Sequence, residues 1–83
     1  MRMSTRKLAP GKRNIVGARV TEARSAAGML QKALLTHLQV AGMEISHPAF
    51  SLLKGQKRPV SDIELKALSE ILNVDVRWLL GQI

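Results

Sequence analysis

The sequence predicts an all-α fold, a compact bundle of five short helices. Three observations predict it. Apolar residues recur at three-and-four spacing from residue 14 onward, and no alternating strand pattern competes with them. Helix stops and starts follow one another closely, with glycines at 28, 42, 55 and 81 and with Pro48 and Asn73 among them. The chain has 83 residues, enough for one domain with one modest core.

Residues 1–13 show Pro10-Gly11 and no periodicity, and read as a flexible arm ahead of a domain at 14–83. Asn14 is a good N-cap for the first helix. Val16, Val20, Ala23 and Ala27 form its buried stripe, and Gly28 is its natural stop. The second helix runs from about Leu30 to Val40, with Leu30, Leu34, Leu35 and Leu38 inward, and Gly42 ends it. Met43-Glu44-Ile45-Ser46 is a turn. Proline is favoured at the first helical position and keeps its predecessor out of helical angles. The third helix therefore starts at Pro48 with His47 as N-cap, points Phe50 and Leu53 inward, and ends near Lys54-Gly55. Ser61 and Glu64 predict a capping box for the fourth helix, and Val60 with Leu65 a hydrophobic staple. Leu65, Leu68, Ile71 and Leu72 are its buried face, and Asn73 stops it. Asp75 caps a last short helix in which Val76, Leu79 and Leu80 close the core before Gly81.

The charge is unevenly placed. The formal net charge is +7, and Arg2, Arg6, Lys7, Lys12 and Arg13 crowd the first 13 residues with no acid among them. A basic arm on a nearly balanced domain suits a polyanion, or is a solvated tail kept for solubility. The arm has no apolar face to lay on a membrane, and no apolar run reaches spanning length. No apolar stretch follows the first charged residues, as a secretory signal requires. The chain has no cysteine, which excludes disulfides and thiolate metal sites and fits a reducing cytoplasm.

No catalytic constellation is visible, so no enzyme and no cofactor is predicted. The histidines are His37 and His47, and with Glu44 they match no metal-ligand spacing. There is no glycine-rich phosphate loop and no evident small-molecule ligand. Phe50 and Trp78 are the only aromatics and both read as buried, which argues against base-stacking on single strands or RNA.

Residues 14–81 resemble the phage-repressor and Cro-like, or XRE-type, helix-turn-helix family. The matching pieces are Ile15-Val16-Gly17-Ala18-Arg19-Val20 with Arg24, Gly28-Met29-Leu30-Gln31, and Ile45-Ser46 with Ser51. The most specific are Val60-Ser61-Asp62-Ile63-Glu64-Leu65 with Ala67-Leu68, and Val74-Asp75-Val76-Arg77-Trp78-Leu79-Leu80-Gly81. The resemblance implies a lambda-repressor-like bundle whose second and third helices form the helix-turn-helix. It implies a homodimer on a palindromic operator in double-stranded DNA, with half-sites about 34 Å apart. It also implies a bacterial, archaeal or phage source. Dimer contacts are expected around Trp78 and Ile83.

On this reading His47, Ala49, Ser51 and Leu52 face base edges in the major groove. His47 and Ser51 can bond bases or phosphates, and His47 also serves as N-cap. Leu52 can pack on a thymine methyl, bind another protein, or be a core residue of a rotated helix. Gln31 and Lys32 at the start of helix two meet phosphate, Lys54, Lys57 and Arg58 form a phosphate clamp, and Arg6, Lys7, Lys12 and Arg13 of the arm lie on the backbone. The departures from the family fall in the helix-turn-helix. Leu30 replaces the usual Ser or Thr cap, and Leu35 the usual Ala at the helix crossing. The Val40–Ile45 turn is longer, and Lys54 replaces a Glu that pairs with the residue matching Arg24. The loop glycine is shifted one place, to Gly55 ahead of Gln56. A different class of function therefore stands beside the first: a degenerate helix-turn-helix acting as a protein-interaction module or as sequence-blind DNA packaging.

Overall fold

The computed structural model describes residues 13–83. They form five α-helices: α1 (Gly17–Ala26), α2 (Gln31–Val40), α3 (His47–Lys54), α4 (Asp62–Leu72) and α5 (Val76–Leu79). There is no strand among the described residues. α2 packs on α4, α3 packs on α1, and α5 closes against α4 and α1. The core is the sum of the inward stripes. Val20, Leu34, Leu38, Phe50, Leu53, Leu68 and Leu79 are fully buried, and Leu65, Ile71 and Leu80 pack partly buried against them.

The strongest local signals form as the sequence predicts. Ser61 Oγ accepts from the Glu64 N–H at 3.1 Å while the Glu64 carboxylate accepts from the Ser61 N–H at 3.0 Å. Two otherwise orphaned donors at the start of α4 are thereby satisfied. Asn73 ends α4 in the left-handed region at φ 56°, and Asp75 caps α5 by accepting from the Arg77 N–H at 2.8 Å.

Five expectations need correction. Val16, not Asn14, occupies the N-cap of α1. Asn14 still does capping work from two residues upstream, because its Oδ1 accepts from the N–H groups of Val16 and Gly17 at 3.0 and 2.9 Å. Ala27 lies one residue past the end of α1 and is exposed, outside the stripe it was assigned to. Leu30 is 66% exposed. It is the extended N-cap of α2 (φ −70°, ψ 150°), so the four-residue spacing to Leu34 does not put it on the inner face. His47 is the first residue of α3, and Ser46 is its N-cap, with Oγ accepting from the Ala49 N–H at 3.2 Å. Proline's constraint on its predecessor is a preference, and the Ser46 bond sets the boundary one residue earlier. Trp78 is half-buried rather than buried, with the Arg19 guanidinium 4.7 Å above its ring.

The Met43–Ser46 connection also does more than turn the chain. Ile45 is buried in the core, and Gln39 Nε2 donates to its carbonyl at 2.9 Å. Leu35, the large residue where the resembling family has Ala, is buried.

Candidate nucleic-acid interface

α3 is short because its sequence offers only two inward positions, Phe50 and Leu53, before Gly55. Those two residues fix its rotation, and His47, Pro48, Ser51 and Leu52 are left facing outward and exposed. At 46% exposed, Leu52 is not a core residue of a rotated helix, which leaves the thymine-contact and protein-contact readings. Ala49 is half-buried, packs partly against the core, and its N–H is taken by Ser46. The outward face can therefore offer one imidazole, one hydroxyl and one isobutyl group to a surface it meets.

α2 begins with no side chain capping its leading N–H groups. This follows from Leu30 standing where a hydroxyl residue would cap. Gln31 is half-buried and Lys32 exposed at that end. Unpartnered N–H groups at a helix start carry the positive end of the helix dipole and favour an anion.

The three cations after α3 have separate fates. Lys57 is exposed. Arg58 makes a bidentate pair with Glu64, at 3.1 and 2.9 Å, which ties the loop to α4. Lys54 is half-buried, its Nζ 5.3 Å from the centroid of the Phe50 ring. Burial, and then the nearby Arg24 charge, hold its pKa below the usual lysine value.

The loop carrying these residues is fastened to the start of α1. Asn14 Nδ2 donates to the carbonyls of Leu53 and Arg58 at 3.1 and 2.8 Å. Gln56 Nε2 donates to the Asn14 carbonyl at 3.1 Å, and the Arg13 N–H donates to the Gln56 carbonyl at 2.6 Å. Gln56 sits at φ 63°, the left-handed position that glycine usually fills one residue after a helix end. The shift of Gly55 by one place thus puts a strained residue there, with its side chain bonded to Asn14. At Gly17 a Cβ would lie 2.6 Å from the Lys54 carbonyl oxygen and 2.8 Å from that of Leu53, so α1 and α3 meet backbone to backbone.

Sequence reasoning missed these anchors. Asn14 reads as one cap, and its side chain makes four hydrogen bonds. Gly17 reads as an ordinary helical residue. Arg19 carries no signal, yet its Nη1 donates to the Trp78 carbonyl at 2.8 Å and pins the end of the chain to α1. All three act across long separations in sequence, where local patterns say nothing.

Arg13 is exposed, while Arg6, Lys7 and Lys12 of the arm lie outside the described residues. Among the described residues no three His, Asp or Glu side chains come together as a metal site, and Glu44, His37 and His47 form no such group. Among them, too, no helix is long and apolar enough to cross a membrane.

No known protein family, curated protein or solved structure matches the chain. What the surface can bind therefore follows from its own side chains.

The carboxylates make acid stability a test of this frame. Burial opposes ionisation of Glu64, but hydrogen bonds from Arg58 and Ser61 and the Arg58 charge outweigh it and hold the carboxyl below its ordinary value. Hydrogen bonds from the Arg77 side chain and N–H hold Asp75 at about 2. Both folded values lie below the unfolded ones. Their stabilisation is therefore complete above the ordinary carboxylate range and is lost as pH falls through the folded values. The melting temperature should decline between about pH 5 and pH 2, and Glu64→Gln should flatten that decline. An equal decline in the variant would mean that Glu64 is not one of the groups responsible.

Proposed function

We propose that this protein binds double-stranded DNA as a small transcriptional regulator, laying α3 in the major groove. One observation carries the reading: the core fixes α3 so that His47, Ser51 and Leu52 are exposed along one short helix, with the exposed Lys57 directly after it. A helix of this size fits the major groove, where a hydroxyl or imidazole reaches base edges and a leucine meets a thymine methyl. Lys57 and the uncapped start of α2, with Gln31 and Lys32, supply phosphate contacts, and the basic arm adds charge. The protein acts as a homodimer, with Ile83 exposed near the half-buried Trp78 as the expected contact region.

Lys57→Ala tests this. It should weaken binding to all duplexes alike, and it should lower the dependence of log affinity on log salt by about one. An unchanged salt slope in fluorescence-anisotropy titrations would remove Lys57 from the interface.

A second reading is favoured by apolar exposure. Leu52, Leu30 and Val40 (82% exposed) are large side chains left in water, and such residues suit a protein partner. Leu52→Ser separates the two readings. Loss of sequence preference with unchanged self-association supports DNA, and the reverse supports an interaction module.

A further inference from the structure

α4 turns a second face to solvent, away from α3. Ile63, Lys66, Ala67 and Glu70 follow one another at three-and-four spacing and form one stripe of the helix. With Ala41 at the end of α2 and Met43 just after it, they line an open groove of about 210 Å³. Most of the lining is apolar. Ala67 is buried and Met43 half-buried, but Ile63 is 64% exposed. The side chains of Ala41 and Ala67 are too short to fill the space beside it. An uncovered isoleucine at the edge of an unfilled apolar groove marks a surface that another molecule covers.

The charges indicate which molecule. The charged lining is one pair, with Lys66 Nζ 3.2 Å from Glu70 Oε2 and both side chains exposed. The chain as a whole carries +7, so most approaches of one copy to another bring like charges together. The groove's own lining has no net charge. Glu44 and Asp62 are exposed nearby in sequence, but neither lines it. A basic or an acidic partner would match only one member of the Lys66–Glu70 pair. A second copy matches both. Lys66 precedes Glu70 by about one helical turn, so a second α4 laid antiparallel across the first brings each Lys66 within reach of the other copy's Glu70. The same packing carries each Ile63 toward the space over the other copy's Ala41 and Ala67. It also sends the two Asp62 side chains to opposite ends of the contact.

We propose that this groove takes a second copy of the chain, α4 against α4 across a two-fold axis. Ile63 is its apolar anchor, and Lys66 and Glu70 form reciprocal ion pairs. This goes beyond the function proposed above and does not need DNA. It is also separate from the contact expected around Trp78 and Ile83, neither of which lines the groove. A chain that uses both faces joins one dimer to the next. A groove this small belongs with weak interfaces, so the association depends on concentration.

Sedimentation equilibrium without DNA, up to about 1 mM protein, is the test. The wild-type mass should rise with concentration. Ile63→Ser should weaken association at least ~10-fold. Lys66→Glu and Glu70→Lys should each weaken it, because each sets like charges across the axis. The double variant should restore it to within ~3-fold of wild type. The three positions are exposed, so these variants should fold, and circular-dichroism melts check that they do. The single variants also separate pairing from overall repulsion. Lys66→Glu makes the chain less basic, so repulsion alone would have it associate more tightly, whereas pairing has it associate more weakly.

A wild type that stays monomeric would overturn the contact, and so would tighter association of Lys66→Glu. Association lost in Ile83→Ser but kept in Ile63→Ser would overturn it while leaving the dimer proposed above. Affinity for duplex DNA, measured separately, bears only on the DNA reading.

Discussion

Gly17→Ala is expected to lower stability by about 3 kcal/mol and the melting temperature by about 15 °C. The direction is the informative part. In a helix, alanine is favoured over glycine by up to about 1 kcal/mol, so helix propensity alone predicts a gain. Packing predicts the loss. The new methyl carbon would stand 2.6 Å from the Lys54 carbonyl oxygen and 2.8 Å from that of Leu53. Both atoms belong to the backbone of α3 and cannot rotate away, so α3 itself must move. Since Phe50 and Leu53 fix which face of α3 is exposed, the same displacement should disturb the proposed DNA binding in whatever fraction remains folded. Thermal melts followed by circular dichroism decide the point. An unchanged or raised melting temperature would mean that α1 and α3 do not meet as closely as described.

The second large effect is expected at Asn14. Its amide joins four backbone groups: it accepts from Val16 and Gly17 and donates to Leu53 and Arg58. Asn14→Ala leaves the Val16 and Gly17 N–H groups and the Arg58 carbonyl without this partner, and leaves the Leu53 carbonyl only the Gln56 N–H at 3.1 Å. It should cost about 3 kcal/mol, given about 1–3 kcal/mol for each buried group left unsatisfied. Asn14→Asp is the sharper variant. It keeps the acceptor for Val16 and Gly17 but sets a second carboxylate oxygen against two carbonyls. Burial beside those carbonyls raises the pKa of the new carboxyl, so its protonated form is favoured in the folded state. Relative to wild type at the same pH, Asn14→Asp should therefore recover stability as pH falls, opposite to the effect of Glu64. A constant deficit across pH would show that Asn14 Nδ2 is not donating to those carbonyls.

The helices were legible because their signals are local. Ser61 with Glu64, Asn73 and Asp75 each act within a few residues, and all four do what their positions predict. The inward stripes follow from periodicity, so Val20, Leu34, Leu38, Phe50, Leu53 and Leu68 were readable as core. Failures occurred at boundaries. Leu30 and Ala27 continue a helical spacing beyond the end of the helix, and His47 lost the cap to its neighbour Ser46. In the candidate site, exposure of His47, Ser51 and Leu52 was readable from the inward pair on the same helix. The fate of each cation was not. Arg58 goes to Glu64, six residues on, a spacing that no cap or helical period picks out, and Lys54 lies over the Phe50 ring. Gly17 and Asn14 were illegible for a different reason, since their partners lie about 40 residues away.

The central claim is that the exposed face of α3 reads duplex DNA. Selection from a random duplex library tests it most directly, with anisotropy titrations of the winners and of scrambled duplexes at several salt concentrations. The account predicts an enriched palindrome bound at least about 10³-fold more tightly than scrambled DNA, with half-sites one helical turn apart. Equal, strongly salt-dependent affinity for both would contradict sequence reading by α3 and leave only sequence-blind contacts. No binding to either at low salt would contradict the account of the interface altogether.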